Sequence, residues 1–122
     1  MEEYLALRGA AGWHLPSPSH SAAALEASLA GVVAVSADRR TVGMARVIGD
    51  GALYALLVDV VVAPDHQHQG IGSTMVTRLT AWAQRRRIPH TSLAADEEAV
   101  GFYLRAGFAP AGQYLRFTAN SR

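Results

Sequence analysis

The stretch Val60-Val61-Val62-Ala63-Pro64-Asp65-His66-Gln67-His68-Gln69-Gly70-Ile71-Gly72-Ser73-Thr74 decides how this chain is read. A valine-rich run ends at Pro64, which has no N–H to give to a strand ladder. From Gly70 the period changes. Ile71, Met75, Val76, Leu79, Trp82 and Ala83 fall on one side of a helix expected to end near Arg85-Arg86-Arg87 and Pro89. A buried strand therefore feeds a glycine-containing turn that opens an amphipathic helix. First-turn N–H groups of such a helix lack intrahelical acceptors and sit at its positive end, and glycine lets an anion approach the backbone. The unit predicts a phosphate cradle.

Two familiar cradles do not fit. A P-loop needs Gly-Lys-Ser/Thr, and this chain contains no lysine. A dinucleotide fingerprint needs a further glycine where Met75 stands, and it belongs to the first strand of its sheet. Here the unit follows a set of strands. Val32 to Ser36 and Thr41 to Ile48 read as a hairpin across Ala37-Asp38-Arg39-Arg40, and Gly49-Asp50-Gly51 turns into a strand from Leu53 to Ala63, expected to be buried on both faces. Earlier, Tyr4 to Arg8 reads as a short strand or a helical turn. A loop then runs past Gly12, Pro16 and Pro18, and a helix spans Ser21 to Ala30 with Gly31 as its stop.

Downstream, Thr91 to Ala95 reads as a strand. Asp96-Glu97-Glu98 opens a helix with Asp96 as N-cap, Gly107 closes it, and one or two strands follow within Phe108 to Thr118. The expected fold is α+β, a central mixed but mostly antiparallel sheet with helices on both sides. At 122 residues the chain fits a single domain spanning residues 1–122.

Composition removes much chemistry. With no cysteine there is no disulfide framework, thiolate metal site or cysteine nucleophile, and without lysine there is no Schiff base. A net charge of +1 gives no basic face for nucleic acid, and Arg85-Arg86-Arg87 reads as cations favourable at a helix C-terminus. The acidic start Met1-Glu2-Glu3 has the wrong sign for a secretory leader, and the apolar run Ala52 to Ala63 is too short to span a membrane. A cytoplasmic protein without membrane or nucleic-acid partners is expected. His14, His20, His66, His68 and His90 lack ligand spacing, so no metal is expected.

Gln67-x-x-Gly70-x-Gly72 resembles the Q/R-x-x-G-x-G/A signature of the GNAT superfamily of N-acetyltransferases. Ala99-x-x-Phe102-Tyr103-x-x-x-Gly107-Phe108 resembles a second segment of the same family, in the right order and with a strand between. The resemblance covers roughly Val42 to Phe117, and 122 residues is short for the family. It implies transfer of an acetyl group from acetyl-CoA to an amine, the acceptor here being a small molecule. By the same resemblance Gln67, His68, Gln69, Gly70, Ile71, Gly72 and Ser73 hold the pyrophosphate, chiefly through main-chain N–H groups. The main chain of Val60, Val61 and Val62 pairs with the pantetheine arm where two strands splay.

Tyr103 stands where the family places its general acid, beside the leaving sulfur; the other reading of Tyr103 is a core aromatic. Asp59, a lone carboxylate in an apolar strand, is the second catalytic candidate, binding a cationic amine or helping deprotonate it. The alternative for Asp59 is a carboxylate bonded to backbone or to an arginine in the cleft wall. Where Asp96 stands the family commonly has asparagine; an ionised carboxylate cannot donate to the cofactor. Trp13 and Tyr54 read equally as walls of the acceptor pocket or as core residues. The family resemblance and the exposed sheet expected of a trimmed domain point to a homodimer. A different class of function stays open, that of an acyl-CoA sensor that keeps the fold without useful turnover.

Overall fold

A computed structural model describes residues 1–118. Four strands form one sheet in the order β1 (Ala30–Val35), β2 (Thr41–Gly49), β3 (Tyr54–Val62) and β4 (His90–Leu93). The first three are antiparallel and β4 lies parallel to β3, the mixed sheet the sequence predicts. Helices α1 (Glu2–Ala10) and α2 (Pro18–Glu26) lie over one face. Helix α3 (Ile71–Arg85) covers the other, and α4 (Val100–Arg105) packs beside it.

The main core forms where α3 meets the sheet. Met75, Val76, Leu79 and Ala83 press on Ala45, Val47, Ala55 and Leu57, all buried. Burying a side chain of this size contributes about 1.5–3 kcal/mol, so this stripe fixes the start of α3 and the loop before it. On the opposite face Tyr4 and Leu7 of α1 bury against Met44 and Val61.

Several boundaries differ from those expected. Of the two readings of Tyr4 to Arg8, the helical one holds, within a helix longer than a single turn. Pro18 begins α2 rather than belonging to the loop, because a proline at the first helical position loses no hydrogen bond; Ser17 caps it by accepting from the His20 N–H at 3.1 Å. Gly31 does not stop that helix but lies in β1. The first half of β3 is not buried on both faces: Tyr54 and Leu56 are exposed while Ala55 and Leu57 are buried. Asp96 precedes a single 3₁₀ turn (Glu97–Ala99), and its side chain caps nothing; its carbonyl accepts the Ala99 N–H at 2.8 Å.

No strand forms among residues 108–118. Pro110 lacks an N–H and Gly112 is left-handed at φ 102°, so the segment turns away before a ladder can start. Tyr114, Leu115 and Phe117 are left exposed. No helix among the described residues is long and apolar enough to cross a membrane.

Candidate active site

Strand β3 carries the central irregularity. Met44 pairs with Val61 and Arg46 with Val58, so Ala45 alone faces both Asp59 and Val60. The extra residue is Asp59, left-handed at φ 56°. Aspartate tolerates that conformation where valine would not. The bulge also switches the strand's parity: Ala55 and Leu57 face α3 before it, Val60 and Val62 after it, while Val61 joins Tyr4 and Leu7 on the other face.

The bulge coincides with a fork. Pairing between β3 and β4 ends at Leu57 and Leu93, whereas β3 continues to Val62. Beyond the fork, the main chain of Val58 to Val62 has no neighbouring strand on the side away from β2. Apart from the left-handed Asp59 and the Val62 carbonyl, which Gln67 engages, these are extended backbone groups without a strand partner on that side, able to pair with an amide-bearing ligand.

The loop that follows is built to meet an anion. After a 3₁₀ turn at Pro64–His66, His68 and Gly70 are both left-handed, at φ 64° and 84°. Gln67 Nε2 donates to the Val62 carbonyl at 3.0 Å and ties the loop to the end of β3. Among the described residues, no main-chain N–H from Gln67 to Ser73 donates to a protein acceptor; the Gly70 carbonyl takes the Thr74 N–H and hydroxyl at 3.1 and 3.0 Å. With His68 and Gly70 left-handed, these unbonded N–H groups at a helix N-terminus form a row of donors suited to phosphate. A groove of about 530 Å³ borders the loop, with Gly70, Thr74 and Arg78 on its wall.

Gly72 joins the two halves of the site. A Cβ there would lie 3.4 Å from the Phe102 ring and 3.8 Å from Val62, so the helix start, the strand end and α4 meet at this residue. The next residue on α4 is Tyr103, held edge-on between Phe102 (4.9 Å, 77°) and Phe108 (5.9 Å, 82°). Burial raises the Tyr103 phenol above the usual tyrosine range, and the Asp96 carboxylate adds to it. The phenol therefore stays protonated at neutral pH and keeps an O–H to donate.

Asp59 is placed at the bulge, but its carboxylate is already engaged. Oδ2 accepts from the Tyr4 hydroxyl and from Arg46 Nε, and Oδ1 from Arg8 Nη1, each at 2.7 Å. The side chain is 7% exposed, and the two guanidiniums are 18% and 15% exposed. Arg46 also donates to the Ala24 carbonyl of α2 and to the Ser28 hydroxyl just after it, and Arg8 to the His14 carbonyl. Burial, then the bond to Asp59, pushes the Tyr4 phenol upward. Tyr4, Arg46 and Asp59 form the polar end of a cavity of about 490 Å³ whose apolar walls include Leu7, Leu25 and Met44.

Sequence reading missed Tyr4, Arg8 and Arg46. Arg46 in an apolar strand opposite Asp59 was the available signal. Of the suggested pocket walls, Trp13 stacks near Arg8 (5.5 Å), whereas Tyr54 lies at the far end of β3 against His90. His66 pairs with Asp65 at 3.0 Å, and no three potential metal ligands converge among the described residues.

Comparison with known proteins agrees with this geometry. Residues 28–110 match the family model for an acetyltransferase (GNAT) domain. Over 71 residues the chain is 39% identical to GCN5-related N-acetyltransferase 2, chloroplastic, of Arabidopsis thaliana, covering 58% of this chain and 28% of that protein. Over 76 residues it is 40% identical to serotonin N-acetyltransferase 2, chloroplastic, of Oryza sativa subsp. japonica, covering 62% and 38%. The match thus spans well under half of those relatives. A solved structure from meticillin-resistant Staphylococcus aureus, described as a probable acetyltransferase of unknown function, superposes with a TM-score of 0.83 at 31% identity, over 95% of this chain and 92% of that one. A GNAT-family acetyltransferase from Streptococcus pneumoniae gives 0.79 at 28% identity, over 98% and 91%. With a bulged and forked strand, a row of free N–H groups and both sequence signatures meeting at Gly72, the chain belongs to the GNAT family of N-acetyltransferases.

Proposed function

We propose that this protein transfers an acetyl group from acetyl-CoA to the amine of a small-molecule acceptor by direct attack. The observation that carries the reading is the meeting of three parts at Gly72: the donor row of residues 67–73, the end of β3 at Val62, and α4 through Phe102, the residue before Tyr103. In this reading the loop N–H groups and the start of α3 take the diphosphate, with Gln67, His68, Gln69, Gly70, Ile71, Gly72 and Ser73 as its rim. Val60, Val61 and Val62 pair through their main chain with the amides of the pantetheine arm. The acceptor nitrogen bonds to the acetyl carbon, the carbon–sulfur bond breaks, and the amine's surplus proton passes to water.

Tyr103 acts on the departing sulfur. A thiol titrates near about 8.5 and a phenol near about 10. Burial lifts Tyr103 further, so full proton transfer to the thiolate is uphill and the phenol contributes chiefly a hydrogen bond at the charge that develops there. Tyr103 is thus always in its donating form at neutral pH.

The engaged state of Asp59 favours one rival reading, an acyl-CoA sensor, because that carboxylate is not free to take a proton from the acceptor. Thiol release from acetyl-CoA, followed over a panel of amines alongside a CoA thermal shift, separates the two. Acceptor-dependent release supports the enzyme; a thermal shift without release supports the sensor; no shift removes both. A homodimer belongs to the proposal, supported by the uncovered Tyr54 and Leu56 on the sheet and by exposed Tyr114, Leu115 and Phe117. Light scattering at assay concentration checks it, and a monomer mass would overturn it.

A further inference from the structure

The mechanism above leaves a buried cluster unexplained. Tyr4 and Arg8 come from α1, Arg46 from β2 and Asp59 from the bulge of β3, and all three donors converge on one carboxylate at 2.7 Å. Two cations surround a single anion, so the cluster retains a positive charge. With three charge-assisted or phenolic donors bound, the carboxylate has little capacity left for an acceptor amine. A cationic amine approaching it would also meet the two guanidiniums.

What the cluster does hold is backbone. Asp59 is the extra residue of the bulge and the one non-glycine residue of β3 with positive φ, 56°. A left-handed residue in a strand costs energy and persists only where its surroundings fix it. Here the side chain of the strained residue is itself the anchor. Arg46 spans from Asp59 to the Ala24 carbonyl and Ser28 hydroxyl, and Arg8 from Asp59 to the His14 carbonyl, so the bulge is tied to α1, α2 and the loop after α1. The planar forks of arginine suit this; a lysine would reach one partner at a time. The tie ends just past the point where β3 parts from β4, in the main chain from Val58 onward, Asp59 and Val60 included, that has no strand neighbour on that side.

We infer that Asp59 is a positioning residue, whose carboxylate, clamped by Tyr4, Arg8 and Arg46, locks the bulge and so aims the main chain of Asp59 and Val60 at the acetyl group. The inference rests on the acetyl-transfer reading. Under it, α1 and α2 control the acetyl end of the site without touching the ligand, and the CoA end, held by residues 67–73, is independent of them.

The test uses Tyr4→Phe and Arg8→Met, because each leaves the Arg46–Asp59 pair in place and keeps the buried carboxylate paired. Calorimetry gives the affinities for acetyl-CoA and for CoA, steady-state kinetics give kcat and KM against pH, and thermal melting confirms folding. Positioning predicts that kcat falls by about 10- to 100-fold, as expected for a displaced reacting group. Affinity for acetyl-CoA drops relative to CoA, CoA affinity stays as in the parent, and the acidic limb of the pH profile does not move.

Folded variants with parental kcat and a parental acetyl-CoA to CoA ratio overturn the inference. So does an acidic limb that moves to higher pH in both variants, because removing a donor from Asp59 would shift the limb only if that carboxylate took the proton. Should neither variant fold, Arg8→Gln with the same readouts decides by the same outcomes. If the parent protein binds neither acetyl-CoA nor CoA, the acetyl-transfer reading falls and takes this inference with it; parental binding with unaffected variants removes this inference alone.

Discussion

Replacing Gly70 with alanine isolates the backbone geometry of the loop from its packing. Gly70 sits at φ 84°, and nothing lies within 4 Å of where its Cβ would stand. The methyl group therefore meets no clash, and the cost is conformational alone, about 1–2 kcal/mol for an L-residue held left-handed. That cost has two outlets. If the loop keeps its shape, stability falls by the full amount and the melting temperature drops by several degrees. If the loop relaxes, its N–H row no longer converges and CoA affinity falls, by at most about 5- to 30-fold for the same energy. Gly72 is the control. It is helical, and an added methyl would lie in ordinary contact with Phe102 and Val62. Gly72→Ala is therefore expected to change stability by less than about 0.5 kcal/mol. Melting curves with and without CoA, together with calorimetric binding, measure both outlets. Gly70→Ala with parental melting temperature and parental CoA affinity would refute the reasoning, as would a larger stability loss from Gly72→Ala.

Three further outcomes are expected. Tyr103→Phe lowers kcat by about 10²-fold or more while CoA affinity by calorimetry stays within about twofold; unchanged turnover would return Tyr103 to the core. Tyr4 and Tyr103 both have raised pKa values, chiefly from burial, so each favours the folded state while its phenol is protonated. That contribution is complete below about pH 10 and is lost as pH rises through the folded values; the double phenylalanine variant should show a flatter alkaline decline in urea midpoint. Asp50 accepts the N–H groups of Ala52, Leu53 and Tyr54 at 2.9–3.0 Å, which hold its carboxyl below the usual range. Asp50→Ala should lower the melting temperature at pH 7 and lose that difference in acid, as the parent carboxylate protonates and its contribution disappears.

Local chemistry made part of this molecule legible. The β3–loop–α3 unit is written in a valine run, a proline stop, a left-handed glycine and a clean helical period, and α4 in a spacing that ends at Gly107. The parts that escaped depend on tertiary contact. Helix α1 buries only Tyr4 and Leu7, too few to show a period, and it is fixed by docking on Met44 and Val61. The bulge at Asp59 has no signal in its own strand beyond the charge, since its partners Tyr4 and Arg8 lie 55 and 51 positions away. Tyr114, Leu115 and Phe117 have strand-forming side chains, but a strand needs a partner edge as well as propensity.

The role of Asp59 shows the same division at the level of one residue. Its type and place marked it as functional, and both a proton-handling role and an arginine-bonded role were compatible with the sequence. The three donors at 2.7 Å favour the second. Under the acetyl-transfer proposal, an acceptor without help from that carboxylate delivers its own neutral amine or loses its proton to water, so activity should favour amines of low basicity or alkaline assay conditions.

The central claim is acetyl transfer at the fork of β3. The most direct measurement is thiol release from acetyl-CoA, followed across a panel of small amines with the parent protein and Tyr103→Phe. The account predicts release that depends on the acceptor and collapses in the variant while CoA still binds; CoA binding with no acceptor-dependent release in the parent would contradict it.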